Sequence, residues 1–304
     1  MRRIEFLFFS LFRGCLLLMP FPWIQRAGRF LGRGFYYLMP GRRAITLDNL
    51  RHAFPGKTED ELRTVARGAF ENFGIAMSEF LCFSKIGQPD LRRLMNYDEN
   101  RAHFQAIAAG SGLVYLSGHF GNWELSGAGS ACLAGVQYLV VVKTQANRLV
   151  DRVVTGLRCG FGNSVVPMER AIRESMTALR NGGVVALAPD QSATRESDFI
   201  PFFGRDVATF RGPAAFALRA GVPMKMGFTV RRADYTYDFI LEEVPTSDLN
   251  GATEENVREL TRRHVSLLER YIRLHPDHWL WMHRRWKHLG GPSPGAEGGG
   301  SVDS

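Results

Sequence analysis

The stretch LVYLSGHFGNWELSG, residues 113–127, reads as a β-strand that hands a histidine to a turn and a carboxylate to the helix after it. Leu113 to Ser117 form a short apolar run, and small residues open a helix beyond Glu124. Between them Gly118 and Gly121 permit a tight turn and close backbone approach. The ends of strands are where α/β sheets build their sites. His119 stands directly after the strand, and Glu124 follows five residues on. A histidine there takes a proton from a hydroxyl at neutral pH, and a carboxylate on its other ring nitrogen fixes the tautomer and stabilises the imidazolium. The helix N-terminus nearby offers unpaired N–H groups to a developing oxyanion. The spacing by itself fits an ordinary surface pair better than a catalytic one.

Outward from this stretch the same rhythm repeats. QYLVVV at 137–142, VVALAP at 184–189, MKMGFTV at 224–230 and YDFILEEV at 237–244 are further strand-like runs separated by helical patterns, which predicts an α/β sheet. Thr58 and Glu61 form a T-x-x-E capping box, and apolar residues then recur at helical spacing to about Phe83. A last helix is expected from about Glu254 to Leu274. The terminal GGPSPGAEGGGSVDS has the composition of a disordered tail.

The apolar stretch from Ile4 to Trp23 has about the ~20 residues that cross a bilayer, although Arg13 falls mid-segment. No small-x-small cleavage site follows it, so it is expected to remain as an N-terminal anchor helix. RAGRFLGRGFYYLMPGRRA alternates arginines with aromatics and predicts an interfacial segment, with a buried helical hairpin as the alternative. The expected organisation is therefore an anchor and basic interfacial segment at 1–45, a catalytic domain at 46–289 and a tail at 290–304. With 38 Lys plus Arg against 30 Asp plus Glu, the net charge of +8 suits an anionic partner. The arginines are dispersed and no nucleic-acid motif occurs, so a membrane or a phosphorylated substrate is favoured over nucleic acid. Cys15, Cys82, Cys132 and Cys159 are far apart and predict reduced thiols facing the cytoplasm.

No Ser or Cys stands in an elbow such as GxSxG, so direct attack by a substrate hydroxyl on an activated acyl donor fits better than a covalent acyl-enzyme. His119 and Glu124 lack the HExxH spacing, and no metal is expected. Asp190 and Gln191 end a buried-type strand, where a polar pair lines a site or caps the next element. In PFFGRDVATFRGPAAFA, a turn just before a helix, Arg211 is a candidate phosphate contact and the phenylalanines are either an acyl groove or ordinary core. The closing WLWMHRRWK interleaves Trp279, Trp281 and Trp286 with His283, Arg284, Arg285 and Lys287, which suits either a headgroup contact or a solvated basic edge.

HFGNWEL, then APDQ, FIPFFGRDVATFRGPAAFALRAGVP and WLWMHRRWK, in that order, closely resemble the lipid A biosynthesis late acyltransferases, from the N-terminal anchor and NLRHAFP at 49–55 through Lys287. The HX4E/D signature is shared with phosphatidylinositol mannoside acyltransferases and other bacterial lipid acyltransferases. The resemblance implies a mixed central sheet flanked by helices, as in glycerolipid acyltransferases, on the cytoplasmic face of the inner membrane. It implies transfer of an acyl chain from acyl carrier protein or coenzyme A to a hydroxyl of a lipid or glycolipid acceptor, a lipid A precursor first, with no bound cofactor. His119 would be the general base, Glu124 its charge-relay partner, and Lys143, Asn147 and Arg158 would lie near the acceptor's phosphate or sugar. Many relatives carry Arg where this chain has Lys143, which keeps the charge and loses the bidentate fork. The position of Asp190 and Gln191 borders the active site in the family. A different lipid acceptor, a non-catalytic membrane-binding relative and a hydrolase are the competing readings.

Overall fold

The computed structural model describes residues 2–109, 112–193 and 197–287. The expected tail at 290–304 lies outside the described residues. Helices α1 (Arg2–Leu17), α2 (Phe21–Leu38), α3 (Pro40–Ala53), α4 (Glu59–Leu81), α5 (Gln88–Leu94) and α6 (Arg101–Ala108) precede the first strand. Strand β1 (Leu113–Ser117) leads through a short π-turn at Leu125–Gly129 into α7 (Ser130–Ala134), followed by β2 (Tyr138–Val142), α8 (Arg148–Cys159) and β3 (Ser164–Pro167). The chain continues as α9 (Ala171–Arg180), β4 (Val184–Leu187), the hairpin β5 (Ser197–Phe202) and β6 (Arg205–Phe210), and α10 (Gly212–Ala220). It closes with β7 (Met224–Arg231), β8 (Tyr237–Val244) and α11 (Glu254–Leu274).

The main sheet runs β3-β2-β4-β1-β7-β8, parallel throughout except for the antiparallel edge pair β7 and β8. This is the expected mixed α/β sheet. Strand β1 is buried along its whole length, and its alternate side chains enter different layers. Val114 and Leu116 join the core built with α4, α10 and α11, whereas Leu113 and Tyr115 join the one built with α5, α6, α7 and α8. Strand β3 and the β5–β6 hairpin were not anticipated. Strand β3 is only four residues long, and the hairpin turns on Phe203 and Gly204 at φ 50° and 74°. Phe203 is a residue that sequence rules would not put at positive φ.

The N-terminal expectation is corrected. Among the described residues no helix is long and apolar enough to cross a membrane. The apolar run breaks before Pro20 into two helices, and the 16 residues of α1 rise only about 24 Å at ~1.5 Å each. Arg13, the mid-segment charge, donates from Nε to the Leu81 carbonyl at 2.9 Å and from Nη2 to the Ser84 hydroxyl at 3.2 Å, tying α1 to the end of α4. Helix α2 is half of what was expected. Ile24, Gly28, Gly32 and Tyr36 are buried, while Arg26, Phe30, Tyr37 and Leu38 face outward. The buried face packs against α4 so closely that a Cβ on Gly28 would lie 2.7 Å from the Gly74 carbonyl oxygen. A capping box joins Thr58 and Glu61 at the start of α4, as its sequence predicts.

The closing basic and aromatic motif divides: Arg284 and Lys287 are exposed, whereas its tryptophans and Arg285 turn inward. Trp279, Trp281, Arg285 and Trp286 are buried; Phe202 packs edge-on against Trp279 and stacks on Trp286, while Phe203 lies tilted against Trp281.

Candidate active site

Strands β1 and β4 are neighbours and parallel, with Leu116 opposite Leu187, so the segments leaving their C-terminal ends emerge side by side. His119 leaves β1 two residues past its end, and Asp190 leaves β4 three residues past its end. The Asp190 carboxylate accepts from the His119 ring, Oδ1 to Nδ1, at 2.7 Å, and from the His119 backbone N–H through Oδ2 at 2.8 Å. Trp279 donates its indole N–H to the same Oδ2 at 2.9 Å. The Asp190 side chain is only 3 % exposed, while the His119 ring keeps 19 %, so the pair is closed behind and open in front.

Electrostatics follow from that burial. Desolvation pushes the Asp190 carboxyl up, but the His119 charge, two hydrogen bonds from His119 and the Trp279 N–H together hold it well below the usual carboxylate range. For His119, burial lowers the imidazole, and the attraction of Asp190 and Glu124 outweighs it, so the net shift is upward despite the opposing Arg158. With Nδ1–H committed to Asp190, neutral His119 turns its Nε2 lone pair outward. The Gln191 amide nitrogen lies 3.3 Å from that Nε2.

The expectation that Glu124 sits on the histidine ring is corrected: that place belongs to Asp190. Glu124 instead accepts a fork from Arg158, Nε at 2.9 Å and Nη2 at 2.5 Å, with 9 % and 19 % of the two side chains exposed. The reason is geometric. Glu124 has already entered the helical turn after β1 and faces α8, so it acts on His119 only through its charge.

The turn is held from several sides. Gly121 adopts φ +57°, donates its N–H to the His278 carbonyl at 2.8 Å, and leaves no space for a Cβ beside the Thr229 carbonyl. Asn122 accepts the Leu125 N–H at 2.9 Å, capping the helical turn, and donates to Glu79 at 2.6 Å. Glu79 is fully buried and also accepts from Gln25 and Tyr237, each at 2.6 Å. Leu280 donates its N–H to the His119 carbonyl at 3.0 Å, which fixes the C-terminal segment against the turn.

The remaining expected residues divide. Lys143 is exposed just past β2, whose neighbour is β4, and so lies on the same edge of the sheet as His119 and Asp190. Asn147 caps α8 by accepting the Leu149 N–H at 3.1 Å, and its amide donates to the Arg2 carbonyl at 2.8 Å. Arg211 precedes α10 and lies 3.9 Å from both Asp198 and Glu254, away from the hydrogen-bonded cluster around His119. Asn122 and Glu79 were not singled out beforehand, and Trp279 was read only as part of the closing basic and aromatic motif. The indole was visible in WLW, but only the Phe120–Trp279 bridge brings it to Asp190.

A mostly parallel α/β sheet here presents an outward imidazole Nε2 backed by a buried carboxylate at a strand end, the geometry that proton transfer requires. Residues 3–288 match the family described as bacterial lipid A biosynthesis acyltransferase, and the chain belongs to that family; it is an acyltransferase. It is 27 % identical over 282 residues to the lipid A biosynthesis palmitoleoyltransferase of Escherichia coli K12, covering 88 % of this chain and 86 % of that one. Against the lauroyltransferase of the same organism the identity is again 27 %, over 281 residues, covering 88 % and 87 %. A phosphatidylinositol mannoside acyltransferase of Mycobacterium tuberculosis is 26 % identical over 188 residues, covering 60 % of this chain and 56 % of the relative.

Proposed function

We propose that this acyltransferase moves a fatty acyl chain from a thioester of acyl carrier protein or coenzyme A to a hydroxyl of a lipid A precursor that already carries its primary acyl chains. The observation that carries the chemistry is the Nδ1 to Asp190 contact at 2.7 Å, which leaves Nε2 as the proton acceptor. An acceptor hydroxyl displaces the Gln191 amide and hydrogen-bonds to Nε2. Its oxygen attacks the thioester carbonyl carbon while its proton passes to His119. The tetrahedral intermediate collapses with cleavage of the C–S bond, and the thiolate leaves with the proton from His119, so the base is restored. Asp190 keeps the tautomer and balances the transient imidazolium. Glu124 holds Arg158 close enough to act on His119, and the guanidinium, together with Lys143 just past β2, suits the phosphate or sugar of the acceptor.

Attachment at the cytoplasmic face of the inner membrane would be by α1 lying on the surface. Ile4, Leu7, Phe8 and Leu11 are each more than half exposed on that helix, and Arg2 and Arg3 flank them. The mycobacterial relative keeps a second acceptor class, mannosylated phosphatidylinositol, in view. Mass spectrometry of lipids from a host lacking late lipid A acyltransferases tests the assignment. Wild type should add one acyl mass to lipid A and His119→Ala none. Without a gain from either, the lipid A acceptor is rejected; an equal gain from both rejects His119 as the base.

A further inference from the structure

Arg285 is an unusual residue to find inside this fold. It is 2 % exposed, and its guanidinium donates to the Ala208 carbonyl at 2.5 Å and the Thr209 hydroxyl at 2.7 Å, both neutral groups. Among the described residues no carboxylate lies within ion-pair distance of it. A buried cation without a counter-charge is strongly disfavoured, so the surroundings should supply one. They do so indirectly. Arg285, Asp190 and His264 line one water-sized cavity of about 10 Å³ whose other walls include Phe202 and Leu268. Burial pushes Arg285 down to about 10 even against the charge of Asp190, which favours the cation. His264 adds no charge there: it is 3 % exposed, and burial beside Arg285 brings it down to about 3. A space this small admits little screening solvent, so the two opposite charges act on each other through a medium of low polarity.

We propose that Arg285 is a positioning residue for the His119–Asp190 pair, a buried cation that balances Asp190 across this cavity so that the carboxylate orients His119 without locking a proton onto it. The inference rests on His119 being the general base. A base whose conjugate acid is stabilised too strongly carries its proton at neutral pH and cannot accept another. Asp190 and Glu124 both pull His119 in that direction, and Arg158 opposes them from α8. Arg285 opposes them from behind, through Asp190. His283, which faces Asp190, His119, Arg285 and Arg42, is the other imidazole in the neighbourhood.

The test is a histidine NMR titration of the full chain in detergent, made in the His283→Gln background so that the His119 signal stands apart from its neighbour. Arg285→Met should raise the His119 midpoint by about one pH unit, a tenfold change in proton affinity. Arg285→Lys, which keeps the charge, should stay near the parent value. The acidic limb of kcat/KM, measured with a lauroyl thioester donor, should move with the midpoint, while the rate above the limb changes little. A folded Arg285→Met protein whose His119 midpoint stays put overturns the proposal. If Arg285→Met does not fold, Asp190→Asn/Arg285→Met decides. Recovery of folding in the double variant supports charge balance, and failure of that variant too counts against it. Loss of the base assignment itself would show separately, as retained activity in His119→Ala.

Discussion

Asp190 holds His119 at two points, Oδ1 on the ring Nδ1 at 2.7 Å and Oδ2 on the backbone N–H at 2.8 Å. One carboxylate thereby fixes both the path of the turn and the tautomer of the ring. Asp190→Asn retains the shape but must present either an amide N–H or a single oxygen to Nδ1. If the N–H faces the ring, the imidazole proton is driven to Nε2, where it blocks base catalysis. A fall in kcat of about 10²–10⁴ is expected, with folding intact. Steady-state kinetics beside a thermal melt checks this; a near-normal kcat would remove Asp190 from the mechanism.

The same pair sets a window of pH-dependent stability. The Asp190 carboxyl is held down in the folded state, so its contribution is complete above its unfolded value near ~3.9 and fades as pH falls below that. His119 is raised, so its contribution is complete below ~6.5 and is lost as pH rises through the higher folded value. The stability difference between wild type and Asp190→Asn should therefore peak between about pH 4 and 6.5, at about 2 kcal/mol, and shrink on either side. Denaturant melts across pH would show it. A difference that is flat from pH 4 to 9 would mean that the pair is not ionic.

Glu124 and Arg158 separate by kinetics. Arg158→Lys keeps the charge but loses the fork, and is expected to raise KM for the acceptor about tenfold with a smaller change in kcat. Glu124→Ala leaves Arg158 mostly buried without its partner, and should lower stability by about 3 kcal/mol as well as activity. Should Glu124→Ala instead behave like Asp190→Asn in kcat alone, with no loss of stability, its role would be that of the ring partner after all.

Glu79 supports, through Asn122, the turn that carries His119. Burial pushes its carboxyl up, against the hydrogen bonds of Tyr237, Gln25 and Asn122. Glu79→Leu strands three buried donors and should cost about 3 kcal/mol or more. Through the loosened Asn122 it should also lower kcat well below the melting temperature. Circular dichroism melts and assays at low temperature separate the two effects; an unchanged kcat in the folded variant would confine Glu79 to stability.

Much of this architecture is legible in local chemistry. The runs at 113–117 and 237–244 coincide with β1 and β8, the box at Thr58 and Glu61 opens α4, and Glu254 to Leu274 is α11. Each depends on neighbours only a few residues away, through side-chain alternation, capping or helical spacing. The bilayer-spanning reading of the N-terminal segment failed for the opposite reason. Hydropathy counts apolar residues, but Pro20 ends α1, and Arg13 finds carbonyl and hydroxyl partners in a segment some seventy residues distant.

That a histidine directly follows a strand of an α/β sheet, and that the chain carries the ordered motifs of its family, can be read from local sequence. Which carboxylate serves that histidine was a tertiary decision. Glu124 is five residues away along the chain and turns to Arg158, whereas Asp190 is seventy-one residues away and reaches the ring because β4 lies beside β1. Strand order, like the inward turn of Arg285 and Trp279, depends on how whole layers pack to bury apolar area. No short-range pattern records it.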